Sequence, residues 1–306
     1  MNHSTSIKPD EASVPPHYVG HSHGFRLQHL VNQAVGSPHM TLSAGYMDDG
    51  GYVDAQVHSF ELSLYVFSGA LAVTTLGATT LLTKDHCINI PIGTTYVLKA
   101  SQGPVEFLQL TSPASMDQGR RRDTFFTGEG VVESAGEKPD MRDPRNRSAV
   151  RFDPESMNLR QLAGGTDVNA PTVSPSMATA LLAYSGIGVK MLIDQQVGAH
   201  LHTMFIVDYQ PTAIAHPHDH PFEEAYVFLE GEVHALVEGE ELIFHPGDVL
   251  WAGVGADHGF ENRSTGLVRW IEVQSPQPPS RHSYRFSREW EHLESKINRE
   301  RLPPSS

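Results

Sequence analysis

Sliding the sequence on itself by 162 residues lays LSLYVFSG, Leu62 to Gly69, on EAYVFLEG, Glu224 to Gly231, and carries Gly77 onto Gly239. The same ungapped shift takes Pro91-Ile92-Gly93 onto Gly253-Val254-Gly255. One residue further, FLQLTSP (Phe107 to Pro113) falls on WIEVQSP (Trp270 to Pro276). A repeat of this period, covering roughly residues 40–113 and 204–276, implies two copies of one folding unit. At 306 residues the chain has room for a core in each copy.

The units are built of strands. Short β-type runs (ELSLYVF, TTLLT, EAYVFL, EVHALV, EELIF, VRWIEV) alternate with Pro-, Gly- and Asn-rich punctuation, which is an all-β pattern. Between Ser112 and about Met177 the chain turns charged and turn-rich (QGRRRD, GEKPDMRDPRNRS, GGTDVNAPTVSPS) and reads as a linker with little strand of its own. The expected organisation is an N-terminal extension over 1–24, a first β-domain over 25–113, a linker over 114–176, a second β-domain over 177–280, and a tail over 281–306. In the tail, Trp290, Leu293 and Ile297 fall at helical spacing and predict an amphipathic helix.

A formal net charge of −14 argues against a nucleic-acid partner, and the one basic cluster, Arg120-Arg121-Arg122, reads as a solvated part of the linker. The single cysteine, Cys87, excludes an intramolecular disulfide and fits a reducing compartment, so cytoplasm is the expected location. No apolar run is long enough to span a bilayer, and the first residues lack the pattern of an export signal. The expected partner is a small-molecule substrate, and a homodimer is compatible with the reading.

The stretch AHPHDHPFEEAYVFLEGEV, Ala215 to Val233, concentrates the chemistry. Alternate strand residues share a face, so His218 and His220 point the same way with Cα atoms about 6.6 Å apart. Glu224 keeps their parity, with Pro221 ending the first strand, and a later histidine, His258, follows the turn at Gly247-Asp248 and the glycines Gly253 and Gly255. Three imidazoles and a carboxylate suit a divalent transition metal, Fe or Mn first and Ni, Co or Zn also, with coordination positions left for substrate. A His-x-His pair alone is more often structural than metal-binding; the combination carries the argument.

That combination is His-x-His, three residues, Glu, six residues, Gly, then a turn glycine and Gly-x-x-His-x-x-x-Asn, seen here as HDHPFEEAYVFLEG and GVGADHGFEN. It resembles the two motifs of the cupin superfamily. The resemblance implies two double-stranded β-helix, jelly-roll barrels in one chain, a bicupin, with His218, His220, Glu224 and His258 as ligands of one metal per chain. Gly253 stands where the second motif usually has proline. In the first copy the ligand positions become Gln56, His58, Leu62 and Tyr96, so that barrel reads as a metal-free scaffold. A degenerate first barrel before a live second one is similar to the layout of (S)-ureidoglycine aminohydrolase, a manganese enzyme, although the ligand order differs.

Tyr226 and Phe228 continue the parity of Glu224 and are expected to line the cavity. In VRWIEVQ, Arg269 and Glu272 have opposite parity; Glu272 is the one expected to face inward, its counterpart in the first copy being Gln109. Glu224, Glu272 and Tyr226 are thus the candidate catalytic residues. His216, His200 and His202 are expected outside the metal's immediate shell, and His17, His21 and His23 in solvent. The resemblance implies a metal-dependent enzyme acting on a small polar metabolite. Oxidative cleavage by a dioxygenase comes first, then a redox-neutral hydrolase, lyase or isomerase, then a non-enzymatic small-molecule binder.

Overall fold

The computed structural model describes residues 1–75, 77–116, 122–130, 148–157, 185–278 and 285–286. The two repeats fold as two antiparallel β-barrels, built differently at one corner. In the first, the strand Thr41–His58 runs for 18 residues and bends at Gly50, whose φ of +70° is open to glycine at no steric cost. Its first half pairs with Val105–Ser112 and its second with Tyr96–Ala100, so one strand serves both faces of the barrel and the whole unit is one ten-stranded sheet.

In the second repeat the corresponding stretch is cut in two, Thr203–Tyr209 and Ile214–Asp219, by a turn closed by Ala213 N–H donating to the Gln210 carbonyl at 2.9 Å. The barrel therefore separates into two sheets. The order Asn2–Ser6, Asp248–Ala252, Glu223–Glu230, Val268–Ser275, Thr203–Tyr209, Ile187–Ile193 forms one, and Glu240–Phe244, Val233–Val237, His258–Glu261, Ile214–Asp219, Arg285–Phe286 the other. Alternation turns Phe228, Phe244, Phe260 and Trp270 inward, where Phe228 stacks on Phe244 at 4.7 Å and Phe260 meets Trp270 at 5.3 Å.

A separate core lies between the barrels. Leu30, Met40, Leu42, Leu108 and Leu110 of the first repeat and Ile193, Met204, Ile206, Val227 and Ile271 of the second are all buried in it together. Two carboxylates, at equivalent positions of the repeat, cross this interface. Glu61 accepts from the His200 and Leu201 backbone N–H groups, at 2.9 Å for the nearer oxygen of the His200 pair, and Glu223 accepts from Ser37 Oγ at 2.5 Å and Trp251 Nε1 at 3.3 Å. Ser112 and Ser275, also equivalent, touch through their hydroxyls at 2.6 Å.

Segments outside the repeats tie the barrels further. The strand Asn2–Ser6, in the stretch read as an extension, crosses to pair with Asp248–Ala252 of the second barrel. Within the stretch read as linker, Thr124–Gly128 pairs with Thr41–His58 and Ala149–Arg151 with His86–Ile90, so parts of it belong to the first sheet. Its short apolar runs are diluted by the charged sequence around them, but Phe126 finds Tyr18 edge-on at 5.4 Å and stacks on His21 at 4.0 Å. His21 remains exposed, as expected, with its Nδ1 3.4 Å from Asp54. The helix expected around Trp290, Leu293 and Ile297 lies outside the described residues. Among the described residues no helix is long and apolar enough to cross a membrane.

Candidate metal centre and cavity

His218 and His220 come from Ile214–Asp219 and the turn after it, Glu224 and Tyr226 from Glu223–Glu230, and His258 opens His258–Glu261. Cross-strand pairing brings His218 opposite His258, and Glu224 opposite both Ala252 and Gln274. The ligating atoms of His220, Glu224 and His258 all fall within 4.8 Å of one another, and all three residues are buried. Nε2 of His220 is 2.7 Å and Nε2 of His258 3.1 Å from Glu224 Oε2. His218 stands at the edge of this trio, its ring 4.6 Å from that of His258 and 6.2 Å from that of His220.

The donor set fits a metal ion on an observation independent of sequence. Each imidazole has its Nδ1 against a backbone carbonyl: His218 at 2.9 Å from His216, His220 at 2.7 Å from Phe222, His258 at 2.9 Å from Ala256. A carbonyl only accepts, so Nδ1 carries the proton in each ring and the Nε2 lone pair is left for an ion. Burial pushes the His218 pKa down to about 3, which keeps the ring neutral. Burial also pushes the Glu224 carboxyl up, but His220 and His258 outweigh it and hold it well below the usual carboxylate range. The same pairing raises His220 despite its burial.

Around Glu224 the carboxylate is fixed from both sides. Gln274 Nε2 donates to Oε1 at 2.6 Å, and the Tyr226 hydroxyl hydrogen-bonds Oε2 while lying 2.8 Å from His258 Nε2. Gln274 is in turn held by Thr203, whose hydroxyl donates to Oε1 at 3.2 Å. Sequence reasoning missed Gln274, although it shares the parity of Glu272. Glu272 lines the same cavity and accepts from Trp270 Nε1 at 3.1 Å. Burial first, then the charge of Glu224, pushes its carboxyl well above the ordinary value.

Over these groups opens a cavity of about 180 Å³ with Glu224, Glu272, Tyr226, Gln274 and His218 at its polar end. Phe228 does not reach it and belongs to the aromatic core. Arg269 points to the opposite face, where Asp208 holds its guanidinium through two hydrogen bonds of 2.7 Å and Phe152 lies beneath it at 5.2 Å. His200 and His202 sit at the barrel interface, and His216 serves through its carbonyl.

The first barrel is arranged differently at the matching place. His58 Nε2 lies 2.6 Å from the Tyr96 hydroxyl and its Nδ1 3.0 Å from Thr124 Oγ1, with the ring stacked on Phe60 at 4.3 Å. The ring nitrogen that would face an ion is engaged by a phenol.

Residues 205–274 match the family of cupin domains. No curated protein matches the sequence. Among solved structures, a mutant of salicylate 1,2-dioxygenase from Pseudoaminobacter salicylatoxidans, in complex with gentisate, is similar at a TM-score of 0.64 and 13% identity, covering 82% of this chain and 74% of that one. Oxalate decarboxylase from Lactobacillus farciminis, a formate complex, gives 0.60 at 17%, covering 98% and 96%. A putative glyoxylate-induced protein from Pseudomonas aeruginosa gives 0.61 at 14%, covering 94% and 91%. Two repeats, a barrel for each, the cupin-domain match on the second and likeness along nearly the whole chain lead to one conclusion: the chain has the two-barrel bicupin fold, with a cupin domain as its second barrel.

Proposed function

We propose that the second barrel holds one divalent transition metal on His218, His220, Glu224 and His258, and that the chain is an enzyme that oxidatively cleaves a small molecule bound above it. The observation that carries this reading is the buried convergence of His220, Glu224 and His258, of which Glu224 lines the cavity, each imidazole with Nδ1 committed to a carbonyl. A metal there supplies Lewis acidity and, if it is Fe or Mn, access to O₂ chemistry. The chain's own residues set the geometry: Gln274 and Tyr226 fix the Glu224 carboxylate, and largely apolar walls line the cavity above it.

Glu272 supports a second reading, a redox-neutral lyase, hydrolase or isomerase. A carboxyl whose hold on its proton is strengthened by burial beside the donor set is suited to pass a proton to and from substrate. The two readings part on oxygen. Turnover of a compound that binds the cavity should stop without O₂ in the first and continue undiminished in the second. Tight binding with no product in either atmosphere would support a binding protein instead.

A further inference from the structure

The two barrels meet through equivalent parts of the repeat. The period of 162 residues carries Asn32 to Gly36 onto Asp194 to Gly198, and both stretches fold as the same capped turn. Asn32 accepts from the Ala34 N–H at 2.9 Å and Asp194 from the Gln196 N–H at 2.7 Å, and each turn ends on a left-handed glycine. Beyond the turns each loop reaches the other barrel: the His200 and Leu201 amides donate to Glu61, and the Ser37 hydroxyl to Glu223. Each barrel therefore offers one loop and receives one. The two halves of this reciprocal contact differ in character where the loops end. His202 Nε2 lies 2.7 Å from Ser63 Oγ, which is 3.0 Å from Asn89 Oδ1. At the equivalent positions stand Met40, Ala225 and Trp251, all three part of the apolar core between the barrels. Strand pairing preserves the correspondence, with Ser63 opposite Asn89 and Ala225 opposite Trp251. All six residues are buried, so one half is closed by hydrogen bonds and the other by apolar packing.

We propose that this difference is a pairing code: the interface surface of each barrel fits the other barrel and rejects a second copy of itself. Two first barrels face to face would set Met40 against Ser63 and Asn89, leaving the Ser63 oxygen without its imidazole. Two second barrels would set His202 against Ala225 and Trp251, burying an imidazole with no partner for its N–H. A buried polar group left unpaired lowers the equilibrium constant of such a pair about tenfold or more, and the two-fold relation repeats the loss. Only the unlike pair satisfies both halves. Glu61 and Glu223 carry no such information, because a carboxylate stands at both positions. Selectivity here comes from what the wrong partner leaves unpaired as much as from what the right one supplies.

Urea titration of the full chain carrying Ser63→Ala, His202→Met or both measures the code. Each single change should lower the folding equilibrium constant about tenfold or more, and the double variant should keep about tenfold more than the product of the two losses. Losses that simply multiply overturn the proposal. A second measurement uses Ser112 and Ser275, whose hydroxyls touch and so mark the axis between the barrels. Ser112 is buried, and in the folded chain Ser112→Cys meets its own counterpart only where two first barrels pair; the native cysteine, Cys87, is also buried. After refolding from urea at high protein concentration and mild oxidation, the disulfide-linked dimer should stay at trace level with Ser112→Cys alone. It should rise about tenfold when Ser63→Ala and His202→Met are added, because like barrels then face each other without an orphaned imidazole. Equal yields in the two backgrounds, whether the dimer is abundant or absent, overturn the proposal.

Discussion

His58 Nε2 and the Tyr96 hydroxyl lie 2.6 Å apart in the first barrel, where the second has His220 and His258 converging on Glu224. The repeat has kept one imidazole and replaced its three partners with an amide at Gln56, an alkyl group at Leu62 and the phenol of Tyr96. A hydrogen bond satisfies there what an ion is proposed to satisfy in the second barrel.

Metal analysis of the purified chain should therefore find about one ion, and His220→Ala should remove it while His58→Ala retains it. Loss of metal from the His58 variant with retention in the His220 variant would reverse the assignment of the barrels. Tyr96→Phe should leave the metal content unchanged and cost about 1–3 kcal/mol of stability, because His58 then faces a buried ring edge in place of its partner.

Gln274 donates to Glu224 at 2.6 Å and is itself gripped by Thr203. Gln274→Leu keeps the volume and removes the donor, so metal affinity should fall about 10- to 100-fold with the fold retained. Competition against a chelator of known strength measures it. An unchanged affinity would mean that Tyr226 alone orients the carboxylate.

Periodicity alone reveals much of this architecture, since side-chain parity is a local property. His218 and His220 share a face because they are two positions apart, and Arg269 and Glu272 diverge because they are three apart. The repeat shows that the two units are alike. What parity does not reveal is pairing between distant strands: Gln274 meets Glu224 only because Val268–Ser275 lies beside Glu223–Glu230. Nor does it show the carbonyls of His216, Phe222 and Ala256 that hold the imidazoles, which depend on how each turn closes. Thr124, which anchors His58, was hidden in a charged stretch that reads as linker.

The shared core and the crossing carboxylates Glu61 and Glu223 predict that the barrels do not separate. Proteolytic cleavage between residues 131 and 147, in the stretch read as linker, should give two fragments that still co-elute in gel filtration under native conditions. Two independently eluting globules would show that the interface is too weak to hold without the covalent connection.

The interface also predicts an acid sensitivity. His202 is fully buried, with Nε2 2.7 Å from Ser63 Oγ and Nδ1 3.4 Å from Glu61, while Ser63 donates its own proton to Asn89 at 3.0 Å. Ser63 thus has only a lone pair to offer, and His202 donates from Nε2 as a neutral ring. Burial pushes its pKa down to about 3, below the ordinary histidine value of about 6.5. Below pH 6.5 the unfolded chain binds a proton that the folded chain refuses, so stability is fully present above that pH and falls as pH drops towards 3, by at most about 1.4 kcal/mol per unit from this group. Glu61 acts in the opposite sense, because burial raises its pKa and the folded state then gains from protonation at the acid end. The net loss should therefore set in as pH falls through about 6.5 and steepen below it, with Glu61 offsetting part of it at the acid end. Urea titrations across that window on the wild type and His202→Gln, which keeps a donor for Ser63, give the comparison. A smaller slope in the variant is expected; equal slopes would place the acid sensitivity in other groups, His218 first among them.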